Sequence, residues 1–354
     1  MNNNQDSAAA QNDTLFKDHA MEEGLSRRNA KTKLIELLGE DTVRSLLQRS
    51  DARGWWGIVS CWGTIALAMG AIVWAESLTL AYAIPVMLLA IAVIAGRQLG
   101  LAILLHEASH RSLFKSPWLN DVLANWLCGR PIFVDVLKYR KHHMVHHTKT
   151  GTKDDNDYSL VKDFPVTRSS LVRKFARDLA GISGLKAIVG LTLMNAGVIK
   201  WTVSNDIEYL PKDGKTRIDY IKQFFKSAWP TLLCNFVLLA IATAFQHPEL
   251  FLAWVVAYLT PYPLFLRIRS IAEHALTEQT PDMLKNTRST KAGLLARMFV
   301  APSYVNYHIE HHALASVPSW QLPRLHKLLR EKNAVPQPPG YWEVLKLVSS
   351  KAPA

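Results

Sequence analysis

The sequence predicts an all-α integral membrane protein, with four transmembrane helices in two hairpins and a cytoplasmic helical cap. Three observations predict it. Uncharged runs long enough to cross a bilayer come in two pairs. Lys and Arg crowd the long connections between the runs and are absent from the short tips within each pair. Thirteen histidines lie almost entirely outside the runs, most of them in tight groups.

Residues 1–30 are polar, rich in Asn, Gln and Ala, and lack the apolar stretch of a signal peptide, so a disordered N-terminal tail is expected there. Between 31 and 50, Leu34, Leu37, Leu38, Leu46 and Leu47 alternate with charges, the pattern of an interfacial helix. Gly54–Ala75 then gives 22 uncharged residues and Ser77–Gly96 another 20. The second pair is Ser227–Pro248, 22 residues with His247 taken as neutral, and Leu250–Leu266, 17 residues. About 20 apolar residues cross a hydrocarbon core of roughly 30 Å, so each pair reads as a membrane hairpin. Buried helices of a soluble core rarely need such lengths. Gly184–Trp201, apolar but for Lys186 and Lys200, has the length of a fifth span. Crossing there would separate the last histidine group from the earlier ones by a bilayer, so the segment is expected on or in the membrane surface. Pro336–Gly340 is a Pro-rich loop before one short helix, and residues 335–354 are read as a C-terminal tail.

Arg44, Arg49 and Arg53 flank the first run, and the central and C-terminal segments are also basic. Positive residues remain on the cytoplasmic side, which puts both termini and the histidine-bearing segments there. A basic face against anionic headgroups accounts for the net charge of +12 and leaves no role for nucleic acid. Three widely spaced cysteines, Cys61, Cys128 and Cys234, make neither a disulfide framework nor a zinc ribbon.

The histidines carry the chemistry. His106 and His110 follow the second run. His142, His143, His146 and His147 form a second group, and His308, His311 and His312 a third. His274 stands just past the fourth run. On a helix, positions i, i+3 and i+4 share a face, so each group can present its rings together. Imidazole suits Fe, Zn, Cu and Ni, and three converging faces could hold more than one transition-metal ion. His142 breaks the face of its group and is read as a surface neighbour, while His326 fits the polar side of an amphipathic helix. Asp154, Asp155, Asp157, Glu107, Glu273 and Glu310 are candidates to orient ligand imidazoles. Trp118, Trp126, Phe133 and Tyr139 are candidate walls for a substrate channel or packing residues at the interface.

His106-Glu107-x-x-His110 also fits a zinc protease, with Glu107 as general base, but that chemistry leaves two H-x-x-H-H groups without a purpose. A metal transporter would want ligands within the spans, and the grouped histidines lie outside them.

H-x-x-x-H, H-x-x-H-H and H-x-x-H-H, in that order around a second transmembrane pair, resemble the integral-membrane fatty acid desaturases, from about Ser50 to Leu329. The resemblance implies a desaturase domain over 31–334 and a mushroom-like helical fold. It also implies a di-iron centre that takes O2 and two electrons to remove two hydrogens from a fatty acyl chain. Carried over by position, the metal ligands are His106, His110, His143, His146, His147, His274, His308, His311 and His312. Acyl-CoA desaturases carry an Asn four residues before the isolated histidine, where Ser270 stands here. Three residues between His106 and His110, rather than four, lean toward the acyl-lipid branch, and His308 stands where front-end desaturases have Gln. Electrons would come from a separate ferredoxin or b-type cytochrome with its reductase, since no fused cytochrome module is visible. Hydroxylases and ketolases of lipids or carotenoids share these histidine groups and remain the alternative outcome.

Overall fold

The computed structural model describes residues 30–201 and 207–352. The expected tail over 1–30 therefore falls, but for its last residue, outside the described residues.

A helix over 30–38 (α1) and Glu40–Leu46 (α2) meet at Gly39, whose φ of 84° favours glycine. Two long helices follow, α3 over Asp51–Ala75 and α4 over Leu80–Ser109. Ser50 starts α3 by accepting from the Arg53 N–H, as an N-cap should. After wide and tight turns through 119–132 comes α5, Val136–Lys149, capped by Asp135 on the Leu137 and Lys138 N–H groups. Then follow α6 (Arg168–Leu179), α7 (Ile182–Asn195) and an antiparallel ribbon, β1 (Ile199–Trp201) paired with β2 (Ile207–Tyr209). The second long pair is α8 (Arg217–Ala244), opened by a Thr216–Asp219 capping box, and α9 (Glu249–Leu259) with α10 (Pro261–His274). Four short helices close the chain: α11 (Leu294–Phe299), α12 (His308–Ala313), α13 (Leu322–Glu331) and α14 (Tyr341–Val348).

The architecture is mostly helical. Four helical stretches, Asp51–Ala75, Leu80–Ser109, Arg217–Ala244 and Glu249–His274, are long and apolar enough to cross a membrane. They expose large apolar side chains such as Leu67, Trp74, Phe236 and Ile241, which suits hydrocarbon and not water. Inside, polar side chains pair across helices: the Gln98 amide donates to the Trp254 carbonyl and the Trp62 indole to the Leu127 carbonyl. Gly54 lets α3 approach closely, since a Cβ there would meet the Leu113 carbonyl at 2.6 Å; at Gly96 it would meet the Met298 carbonyl at 2.5 Å. The two short links touch, with His247 Nδ1 2.6 Å from Glu249 and 3.9 Å from Glu76.

Several local expectations change. The fourth stretch is not one straight helix. It breaks at Thr260 (φ −114°, ψ −78°), because Pro261 lacks an N–H and disfavours helical backbone before it. The apolar face of 31–50 lies against protein and not lipid: Leu34, Val43 and Leu46 are buried with Leu322, Leu325 and Leu329 of α13. Burial of that kind stabilises by about 1.5–3 kcal/mol per leucine. Within 184–201 the helix stops at Asn195, and its 14 residues rise only about 21 Å, too short to span. The ribbon after it departs from an all-α reading, and Ile199, Trp201, Ile207 and Tyr209 are β-branched or aromatic residues that favour strands. Residues 341–348 fold onto the body, with Val344 and Val348 buried beside Leu171 and Ile271. An ion pair secures the same region: Arg267 Nε and Nη2 lie 2.5 and 2.9 Å from Asp178, which is fully buried.

Candidate metal centre

Helix α4 has 30 residues and is about 45 Å long, roughly 15 Å more than the hydrocarbon core. Its surplus end carries His106, and His110 terminates it. Helix α5 contributes His143, His146 and His147, α10 ends on His274, and the short α12 contributes His308, His311 and His312. All nine residues expected as ligands come together, eight of them buried and His274 half-buried.

They sort into two groups, and each could hold a metal ion. His106, His110, His143, His147 and His311 form one, and His146, His274, His308 and His312 the other; within each, one nitrogen per ring lies within 4.8 Å of all the rest. The split crosses the sequence motifs. In H-x-x-H-H of α5 the first and last histidines join one group and the middle one joins the other. His147 and His312 stack between the groups, with ring centroids 4.2 Å apart.

Nitrogen separations fit shared ligation. His143 Nε2 and His311 Nε2 each lie 3.0 Å from His147 Nε2, and His308 Nε2 lies 2.9 Å from His274 Nε2. Imidazole binds such ions at about 2.0–2.1 Å, so two nitrogens at a right angle on one ion stand about 3 Å apart. An N–H···N hydrogen bond has the same length, but other atoms decide the matter. His106 Nε2 and both ring nitrogens of His312 are buried with no hydrogen-bond partner in the protein. Burying such groups unpaired costs about 1–3 kcal/mol each, which a coordinated cation offsets.

The electrostatics favour neutral rings. Burial, reinforced by neighbouring imidazoles, holds His143, His147, His308 and His312 well below the ordinary histidine value. Neutral imidazole is the ligating form. His146 differs. Burial lowers it too, but the Asp155 carboxylate, 2.9 Å from Nδ1, outweighs this and raises it. A proton kept on Nδ1 by Asp155 leaves Nε2 free to face the group. Asp157 is held down at about 2: burial would raise it, but the hydrogen bond from His142 and the charge of His146 prevail.

Of the other acids singled out, Glu273 Oε2 lies 3.7 Å from His308 while Arg269 grips its Oε1 at 2.9 Å. Glu107 Oε1 is 3.6 Å from His106 Nδ1, but its Oε2 accepts from the Ser112 hydroxyl and the Ser319 N–H. That leaves the residue poorly placed as a protease base. Asp154 is exposed. Of the four aromatics singled out, Tyr139 meets the site, stacking on His143 at 5.0 Å, whereas Trp126 packs on Trp229, Phe133 on Tyr258, and Trp118 is exposed.

Three contributors escaped the sequence. His326 turns inward, with Nδ1 2.7 Å from Glu310 Oε1, while the Ser289 hydroxyl donates to Glu310 Oε2 and accepts from the Ile309 N–H. This network pins α12. His142 braces the loop after α5 through Asp157 and the Asn156 amide, 2.8 Å from its Nδ1. Arg269 had a legible signal: an i, i+4 pair with Glu273 at the end of an apolar run has to serve something buried.

Comparison with known proteins agrees with this geometry. Residues 77–344 match the family described as fatty acid desaturase. The chain is 27% identical over 259 residues to the dihydrorhizobitoxine desaturase of Bradyrhizobium elkanii, covering 72% of this chain and 69% of that one. A shorter stretch of 64 residues is 41% identical to the sn-1 acyl-lipid omega-3 desaturase (ferredoxin) of Nostoc sp. (strain 36), covering 18% of this chain and 16% of the relative.

Proposed function

The chain belongs to the fatty acid desaturase family, and on that premise we propose that this membrane oxidoreductase removes two hydrogens from a fatty acyl chain at a pair of histidine-held irons. The observation that carries the reading is the division of nine histidines, eight of them buried, into groups of five and four. His106, His110, His143, His147 and His311 would hold one iron, and His146, His274, His308 and His312 the other. Bound there, the irons would supply, with O2, the oxidant that an unactivated C–H bond demands and that no side-chain acid or base provides.

The protein's own part is positioning and exclusion. Asp155 keeps His146 in one tautomer, and Arg269 steadies Glu273 beside His308. Tyr139 backs the ring of His143, and the burial of the cluster keeps bulk water away. The acyl-lipid branch is favoured by the His106–His110 spacing and by the acyl-lipid relative, whose name also points to a ferredoxin-type electron donor. A cytoplasmic catalytic face follows from the distribution of Lys and Arg. The touching links at Glu76 and His247 support two hairpins, which with the cytoplasmic cap would make up a desaturase domain over 31–334.

The test is lipid analysis after expression, beside metal analysis of the purified protein. A new double bond, with iron bound, is expected. An added oxygen without a double bond would replace desaturation by hydroxylation or ketolation, and bound zinc without iron would sink the di-iron reading.

A further inference from the structure

A cavity of about 290 Å³ lies between the histidine-side ends of α3 and α4, beside α11 and the Ser319–Trp320 turn. One stripe of α4 lines it, Arg97, Gly100, Leu104 and Glu107, while His106 and His110 occupy a different stripe. Its charged lining is three arginines, Arg53, Arg97 and Arg297, against one carboxylate, Glu107. That carboxylate is already engaged by Ser112 and Ser319.

Among the described residues, none of the three arginines has a carboxylate within ion-pair distance. Arg97 donates through Nη2 to the backbone carbonyls of Arg297 and Met298, yet its Nε–H is buried with no acceptor. Arg53 lies over the Trp320 ring at 5.8 Å and Arg297 over the Tyr304 ring at 5.5 Å, so both are held by their faces with their edges left to donate. Arg53 and Arg297 are exposed and Arg97 is half-buried, but the buried Nε–H of Arg97 goes unpaired, and an oxyanion would satisfy it through a charge-assisted hydrogen bond while drawing the two outer arginines to it.

Depth identifies what carries the oxyanion. From Leu80 to Arg97, α4 climbs about 26 Å of a roughly 30 Å hydrocarbon core, which puts Arg97 at headgroup level. Next to the cavity, α3 exposes Trp56 (67%) and Val59 (59%), an apolar track leading toward the bilayer.

We propose that this cavity binds the anionic head group, phosphate or carboxylate, of a membrane amphiphile whose tail lies along α3. The site goes beyond the metal centre and does not depend on its identity. It is tested by thermal unfolding of the purified full chain in neutral detergent. The added ligands are short-chain phosphatidic acid, palmitate, inorganic phosphate or diacylglycerol.

A saturable rise in Tm with phosphatidic acid, palmitate or both is expected, and none with diacylglycerol. Phosphatidic acid alone assigns a phospholipid, palmitate alone a fatty carboxylate, and both together the shared oxyanion. Arg97→Gln tests the unpaired Nε–H but also removes contacts to α11, so loss of folding would confound it. The double variant Arg53→Gln/Arg297→Gln spares those contacts and is expected to raise Kd by about tenfold or more. An unchanged Kd in the double variant, or an equal shift with diacylglycerol, overturns the proposal. Inorganic phosphate binding as tightly as the amphiphiles overturns the role of the tail.

Discussion

The two histidine groups are made of the same side chain and share a wall, yet their surroundings differ. Beside the group of five, Glu107 stands 3.6 Å from His106, and that carboxylate also serves Ser112 and Ser319. The group of four has Asp155 at 2.9 Å from His146, Asp157 at 3.7 Å, and Glu273 at 3.7 Å from His308. Where one imidazole fewer is offered, negative charge gathers instead. The difference teaches that ligand number and outer charge compensate for each other, and that the two positions need not hold their ions equally well.

The largest effect that can break this comparison comes from the rings themselves. His311→Ala is expected to empty the group of five and His308→Ala the group of four, each removing about half of the bound metal. Activity in either variant should fall by more than the 10–100-fold typical of an outer partner, roughly speaking. Metal analysis beside turnover checks this, and full metal in His311→Ala would dissolve the division into two groups.

Next comes the charge. Asp155→Asn is expected to weaken metal binding about 10–100-fold, and Glu107→Gln by less than about tenfold. Titration of metal-depleted protein measures both. A Glu107 variant that keeps its metal but loses all activity would favour a general base at that position. Equal effects of the two substitutions would remove the asymmetry.

The smallest effect is that of pH on the metal-free protein. His143, His147, His308 and His312 have lowered values in the fold, so below the ordinary histidine value of 6.5 the unfolded chain takes up protons that the folded one refuses. Their contribution is complete above 6.5 and is lost as pH falls, by up to about 1.4 kcal/mol per pH unit for each ring. His146, raised in the fold, works the other way: its contribution is complete below 6.5 and is lost as pH rises through its folded value. The lowered rings outnumber the raised one, so stability falls on acidification, which unfolding midpoints between pH 8 and 5 would follow.

Much of this was legible in the sequence, for reasons particular residues make plain. Four helices long enough to span follow from uncharged runs, because burial in lipid leaves a composition signal that no tertiary detail can erase. Eight of the nine histidines were legible because i, i+3 and i+4 spacing is local, and His274 because it stands just past the fourth run, near the others. Their sorting was not: whether His146 joins His143 or His274 depends on how α5 lies against α10 and α12. His326 was hidden for the same reason, since its amphipathic helix has two polar edges and only packing decides which one meets Glu310. The break at Thr260 was written in its Thr-Pro pair, but the apolar run on both sides masked it. Leu34 and Leu46 read as lipid-facing because an apolar stripe does not say whether protein or membrane will cover it.

His147 and His311 touch at 3.0 Å although 164 residues separate them, and the second long pair of helices lies between them in the chain. That distance imposes an order in time. During synthesis the group of five lacks its last ring until α8, α9 and α10 have been made and the short α12 has swung back to α4. A chain halted before His311 holds four fifths of one shell and, with His312 still missing, three of the four rings of the other. Loading is then a late event in biogenesis, and a truncated product would be left without a finished pair of sites in which reactive metal could lodge.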